Sequence, residues 1–197
     1  MGKLNLEENY LNKDLKYVYN DLYSQFEKSE LKDKEQFDIL FKNENYKLLL
    51  CYDENNLIGY IIVYIDIETN LMWLDYLAVL EEYHSKGYGT KMIEILKEKY
   101  KNLDGCMIEV EKENDKDINT YRRIKFYENL GCTKLNINYI LPTKESGLNM
   151  HLYYLPFGKQ IIQITKALSV IKSAHNTIHS DITHVAEIFT KIEESLL

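Results

Sequence analysis

The chain has 197 residues, 45% hydrophobic and 28% charged, which is one full domain plus an appendage. Its formal charge of −7 argues against a nucleic-acid partner and mildly favours a cationic one. No apolar run reaches the length of a membrane span, the N-terminus does not read as a signal peptide, and Cys51, Cys106 and Cys132 form no Cys-x-x-Cys pair, so reduced thiols in a cytosol are expected.

The first forty residues read as helical. Leu15, Val18, Tyr19, Leu22 and Phe26 recur at spacings of three and four, Phe37, Leu40 and Phe41 repeat the pattern, and the stretch from Ser29 to Asp33 separates two helices. Leu48 to Cys51 starts a strand, Asp53 to Asn56 turns the chain, and Ile58 to Ile65 returns as the second arm of a hairpin. Leu71 to Val79 is the next strand. A glycine turn and a helix over 88–100 follow, then a strand from Met107 to Val110. A polar loop, Glu113 to Asp117, leads into a helix that ends at Gly131, a C′ glycine in the left-handed conformation. Strands near 133–140 and 149–155 close the sheet. The order is a meander followed by βαβ crossovers in a mixed α/β domain.

Residues 159–197 lack Gly and Pro. Ile161, Ile164, Leu168, Ile171, His175, Ile178, Ile182, Val185, Phe189, Ile192 and Leu196 form a heptad-like seam. The centre, Ser173 to Asp181, is a poor helix former. Charge splits there too: Lys159, Lys166 and Lys172 precede it, and Asp181, Glu187, Glu193 and Glu194 follow with a single Lys191. Antiparallel pairing matches those charges, either as a hairpin within one chain or as long helices from two chains. Unbroken phase favours the long helix and local propensity favours the break, to which this reading leans.

The most informative stretch is Leu74 to Gly89. A strand through Tyr76, Leu77, Ala78 and Val79 meets a polar turn with Gly87 and Gly89, and then an amphipathic helix. Strand, glycine turn and helix start form a geometry that holds a pyrophosphate on bare backbone N–H groups. The dinucleotide pattern GxGxxG fails, because Met92 stands three residues after Gly89, and the P-loop pattern fails as well.

The segment His84-Ser85-Lys86-Gly87-Tyr88-Gly89 resembles the CoA-binding turn of the GNAT superfamily of N-acetyltransferases, Arg/Gln-x-x-Gly-x-Gly/Ala after a strand. His84 at the Arg/Gln position is a departure that implies weaker or differently tuned CoA affinity. About forty residues on, Phe126-Tyr127-Glu128-Asn129-Leu130-Gly131-Cys132 resembles the family's Leu/Phe-Tyr-Glu-x-Leu/Asn-Gly-Phe. Phe26 with Glu30 (Glu27 replaces a proline), Tyr76 to Val79, Glu109 with Glu111, and Arg122-Arg123-Ile124-Lys125-Phe126-Tyr127 are similar to a bacterial branch of that superfamily. The resemblance covers roughly residues 10 to 155. It implies a central mixed, mostly antiparallel sheet flanked by helices, and acetyl-CoA as co-substrate. It says little about the acceptor.

The resemblance also implies site residues. Backbone groups of Leu77, Ala78 and Val79 are expected to bind the pantetheine and polarise the thioester. A backbone donor so placed is worth ~3 kcal/mol. His84, Ser85, Lys86, Gly87, Tyr88, Gly89 and Thr90 are expected to take the pyrophosphate. A lysine-like amine of pKa ~10.4 is about a thousandfold less often neutral than charged at neutral pH, so a base is needed. Glu109 is the first choice, with Glu111 and Asp75 behind it. A salt bridge to Arg122 or Arg123 is the bland alternative for a carboxylate here. Tyr127 is the candidate acid, although protonating a thiolate from a phenol runs uphill by ~2 kcal/mol, so it could serve only to orient the sulfur.

His175, His179 and His184 invite a metal reading, but no Cys or carboxylate cluster joins them, and no metal is expected. The sequence therefore reads as a cytoplasmic bacterial N-acetyltransferase domain over 1–157 with a helical hairpin or coiled coil over 158–197. Transfer to a primary amine is expected by direct attack in a ternary complex. The tail is read as serving either packing on its own domain or a homodimer through residues 159–197. The competing reading is a non-catalytic acyl-CoA sensor or assembly protein.

Overall fold

The computed structural model describes residues 4–8, 11–26, 28 and 30–196. The sequence match at Glu27 and the start of the Ser29 to Asp33 break lie outside them. Among the described residues the chain forms eight strands and six α-helices, a mixed α/β protein whose strands pair mostly antiparallel. It divides into two compact units, Met1–Tyr64 with Leu74–Tyr100, and Ile65–Trp73 with Lys101–Leu197.

The first unit opens with β1 (Leu4–Glu7), where the helical expectation for the first forty residues fails. Leu4 and Leu6 point inward while Asn5 and Glu7 point out, a period of two too short to register beside the helical pattern that follows. Helices α1 (Asn12–Gln25) and α2 (Lys34–Leu40) come next. Val18, Leu22 and Phe37 are fully buried. Strands β2 (Tyr46–Asp53) and β3 (Asn56–Asp66) form the expected hairpin, with Tyr46 opposite Tyr64, and β1 pairs with the outer edge of β2. The register shifts by one residue at Cys51/Tyr52, a bulge near the turn. Strand β4 (Leu71–Val79) lies beside β3, and α3 (Tyr88–Lys99) packs on β1.

In the second unit β5 (Gly105–Glu111) leads to α4 (Ile118–Asn129). Asp117 caps that helix through its side chain, which accepts the Asn119 N–H. Its other end is a Schellman motif: the Cys132 N–H bonds the Tyr127 carbonyl at 3.1 Å, the Gly131 N–H bonds the Glu128 carbonyl at 3.0 Å, and Gly131 has φ +85°. The strand expected near 133–140 is two short pieces, β6 (Thr133–Lys134) and β7 (Ile140–Leu141). Between them the chain still follows the long β8 (Leu148–Pro156) through the Leu135 N–H to Leu152 O bond, with Ile137 and Tyr139 buried. Strand β8 pairs with β5, β6 and β7.

The tail makes two helices, α5 (Ile164–Ile178) and α6 (Val185–Glu194), which pack together, and both belong to the second unit. The interruption over 179–184 falls at the end of the predicted poor helix formers. Ile171, His175, Ile178, Ile182, Phe189 and Ile192 of the heptad-like seam are buried within one chain, while Ile161 and Ile164 are exposed. The basic first half finds its partners in the same unit. The Asp104 carboxylate receives Lys159 at 3.0 Å and also Lys166, its carbonyl takes the N–H groups of Phe157, Gly158 and Lys159, and the Lys172 ammonium stands over the Phe189 ring. The Lys166 ammonium above all holds the Asp104 carboxyl at about 2.

Candidate functional site

The glycine turn belongs to the first unit. After Val79 a single 3₁₀ turn (Glu81–Tyr83) leads to Ser85 at φ +60° and Gly87 at φ +77°. Two left-handed residues so close together reverse the chain sharply, and Gly87 becomes the N-cap of α3. The first N–H groups of an α-helix have no intrahelical partner. Gly87 has no side chain with which to cap α3, which leaves the amides of Tyr88, Gly89 and Thr90 to a ligand. A Cβ built on Gly87 would meet nothing within 4 Å, so the space beside the turn in that direction is open. These are the conditions a diphosphate needs: clustered donors, the positive end of a helix dipole and no side chain in the way.

The side chains of the turn brace it. Tyr88 hydrogen-bonds Asp53 at the end of β2 at 2.8 Å and meets the Tyr83 ring edge-on, which anchors the first turn of α3. The Lys86 ammonium donates to the Glu82 carbonyl at 2.7 Å and covers the Tyr83 ring. His84 Nε2 lies 2.6 Å from the Val79 carbonyl, so this side chain turns back to the strand end. On β4, Ala78 is buried and Leu77 and Val79 are partly exposed. The Ala78 carbonyl sits so close to Gly59 of β3 that a Cβ there would be 2.2 Å from its oxygen. Gly59 thus allows β3 and β4 to meet at the level of the residues expected to hold the pantetheine.

The three carboxylates considered as the base have different environments. The Asp75 side chain is buried in the first unit, with Lys32 Nζ 2.8 Å from one oxygen and the Tyr46 hydroxyl 2.5 Å from the other. Burial, then the Asp75 charge, push the Tyr46 phenol well above its ordinary range, so it remains a donor. Asp75 is therefore committed to a structural cluster. Glu111, on β5 in the second unit, pairs with Arg123 of α4 at 2.8 Å, the bland alternative raised by the sequence. Arg122 reaches Asn119 instead. Glu109, two residues before Glu111 and on the same face, accepts a hydrogen bond from the buried Tyr139 hydroxyl.

Tyr127 lies on the last turn of α4, 8% exposed, edge-on to Phe126. Burial and the neighbouring Cys132 and Cys106 thiols raise its phenol far above the usual range. It stays protonated at any working pH, as a donor must. Tyr139 and His175 are the residues that the sequence reading missed. The signal was present for His175, a polar residue inside an apolar seam; Tyr139 was one of 17 tyrosines with nothing to distinguish it. Among the described residues no three His, Cys, Asp or Glu side chains gather as a metal-ligand group, and no helix is long and apolar enough to cross a membrane.

Fold and turn together define a class, and comparison with known proteins agrees. The profile of the acetyltransferase (GNAT) family matches residues 14–126, a span from α1 to α4 that includes the glycine turn and Glu109. The chain belongs to the acetyltransferase (GNAT) family. It is 26% identical over 188 residues to the protein named "Putative acetyltransferase YjbC" of Bacillus subtilis (strain 168), covering 90% of each chain. Among solved structures it resembles a "Putative acetyltransferase from GNAT family" from Bacteroides thetaiotaomicron, at 19% identity and a TM-score of 0.74 over 89% of this chain and 97% of the other. It also resembles spermidine N-acetyltransferase from Vibrio cholerae in complex with CoA and spermine, at 15% identity and a TM-score of 0.61 over 80% and 97%.

Proposed function

We propose that this protein is an acetyl-CoA-dependent N-acetyltransferase that moves an acetyl group to a primary amine by direct attack in a ternary complex. The observation that carries the reading is the uncapped start of α3 behind Ser85 and Gly87, with open space where a Cβ would project. In this reading the amides of residues 85–90 bind the diphosphate, and the backbone of Leu77, Ala78 and Val79 aligns the pantetheine arm. His84, Lys86 and Tyr88 act indirectly, by holding the turn in shape.

Acetyl-CoA supplies an activated thioester. Glu109 takes a proton from the ammonium acceptor, directly or through water, which frees the nitrogen lone pair for attack on the acetyl carbon. The carbon–sulfur bond breaks as the carbon–nitrogen bond forms. Tyr127 lends a proton or a hydrogen bond to the departing sulfur. Its raised pKa makes complete transfer costly, which favours orientation of the sulfur over full protonation.

The acidic chain favours a cationic acceptor. The polyamine ligand of the Vibrio cholerae neighbour makes polyamines the first class to try. Cys51, Cys106 and Cys132, all buried and none in a disulfide, suit a reducing cytoplasm. The test is release of free CoA thiol from acetyl-CoA across a panel of polyamines, aminoglycosides, amino acids and peptide N-termini. Amine-dependent release, with the acetylated product seen by mass spectrometry, supports the reading. Acetyl-CoA binding without release for any amine favours a sensor.

A further inference from the structure

Glu109 is linked to the C-terminal tail. Tyr139, which precedes β7, is fully buried, and its hydroxyl bonds Glu109 Oε1. The same hydroxyl lies 3.0 Å from Nε2 of His175 on α5. A phenol has one proton. If it is donated to the Glu109 carboxylate, His175 must present Nε2–H to the phenol oxygen. The other ring nitrogen decides between the two arrangements, because Nδ1 is buried without a hydrogen-bond partner. With the proton on Nε2, Nδ1 is a bare acceptor. The opposite tautomer would bury an unpaired N–H, the rarer and costlier defect, and would take the phenol proton from the carboxylate. Burial also lowers the His175 pKa to about 3, so the ring is neutral near pH 7.

Packing fixes the chain of bonds in place. The Tyr139 ring lies against Trp73 and His175, and His175 is flanked by His179 and by Phe189 of α6. Across the strand pair Glu109 faces Leu152 of β8. Charged or titratable groups beside the cluster include His179, edge-on to His175, and the Glu111–Arg123 pair two residues along β5 from Glu109. All these residues lie in the second unit.

We propose that Tyr139 and His175 are positioning residues: His175 orients the Tyr139 hydroxyl, which orients the Glu109 carboxylate towards the proton of the amine. Helix α5 of the tail thereby completes the base. This rests on the reading of Glu109 as the base. The phenol bond takes some basicity from the carboxylate, but it fixes the plane in which the proton is received, and misplacement of a reacting group is the larger loss.

The test uses the full chain labelled with 13C at glutamate Cδ, with the Glu109 signal identified by its loss in Glu109→Gln. In Tyr139→Phe the Glu109 titration should move up by about one pH unit, as expected when a carboxylate loses a donor. In His175→Phe it should move the same way by less. With an amine that the panel identifies, turnover should fall roughly tenfold in both variants at unchanged KM for acetyl-CoA. His175→Gln, which places an amide N–H near the position of Nε2, should recover part of the loss. His175→Phe keeps a ring against Phe189 and removes the unpartnered nitrogen, so its melting temperature at pH 7 should not fall. Unchanged Glu109 titration in both variants would overturn the proposal, as would a destabilised His175→Phe whose turnover per folded molecule is intact. If no amine supports turnover in the wild type, the transferase reading fails while the carboxylate shift still decides the positioning role.

Discussion

His84 Nε2 lies 2.6 Å from the Val79 carbonyl oxygen, and so ties the start of the glycine turn to the last residue of β4. Gln25 Nε2 reaches the same oxygen at 3.3 Å. This contact gives His84 a structural role at the position where the superfamily pattern has Arg or Gln. A single net hydrogen bond is worth ~1 kcal/mol, or about fivefold in an equilibrium. Changing His84→Ala should therefore weaken acetyl-CoA binding by roughly fivefold, as measured by titration calorimetry. An unchanged dissociation constant would show that the brace does not matter to the turn.

Two glycines in the first unit should respond differently to alanine. At Gly87 a Cβ meets no protein atom, but φ is +77°, so Gly87→Ala should cost about 1 kcal/mol of stability. Its Cβ would also project into the open side of the turn, so acetyl-CoA affinity should drop at least tenfold. At Gly59 the Cβ would stand 2.2 Å from the Ala78 oxygen, and backbone must move. Gly59→Ala should cost about 1–3 kcal/mol, more than Gly87→Ala, by urea unfolding. The reverse ranking would contradict the close approach of β3 and β4.

The buried Lys32–Asp75 pair gives a stability prediction. Removing one member strands the other charge, which costs about 3–5 kcal/mol. Lys32→Met should lose that much in urea unfolding, and Lys32→Met with Asp75→Leu should recover most of it. Glu109→Gln should instead lower turnover about a hundredfold or more with little change in stability. If Asp75→Asn abolished turnover in protein that remained folded, the assignment of Asp75 to structure would be wrong.

Local chemistry explains how much of this was legible beforehand. Strand β4 was predicted with its observed ends, Leu71 and Val79, because an apolar run there is bounded by polar turns on both sides. Gly131 read as a helix terminator because only a left-handed residue satisfies the last carbonyls of α4. The tail was harder. Its seam fitted partners in the same chain or in a second one, and sequence periodicity does not record that Lys159 and Lys166 meet Asp104, more than fifty residues earlier. The Glu109–Tyr139–His175 connection was hidden for the same reason. It joins β5, a loop and α5, and no local pattern marks a tyrosine that bridges them.

Acid should single out His175. Its folded pKa of about 3 lies below the ordinary value near ~6.5, so protonation favours the unfolded chain. The stabilisation from keeping this ring neutral is fully present above about pH 6.5 and is lost as pH falls towards 3. Between pH 7 and pH 5 the wild type should lose about 2 kcal/mol relative to His175→Phe. That window lies above the titration of Asp104, whose carboxyl is held at about 2. Parallel pH profiles of the two proteins in urea unfolding would show that His175 is not buried as a neutral ring.

In the proposed enzyme, main-chain amides at the start of α3 hold the diphosphate of CoA. Selective 15N-glycine labelling tests it, because Gly87 and Gly89 are two of only eight glycines. Addition of CoA should shift the Gly87 and Gly89 amide signals strongly and leave those of Gly147 and Gly158 in place. Saturating CoA that leaves Gly87 and Gly89 unmoved would contradict the account.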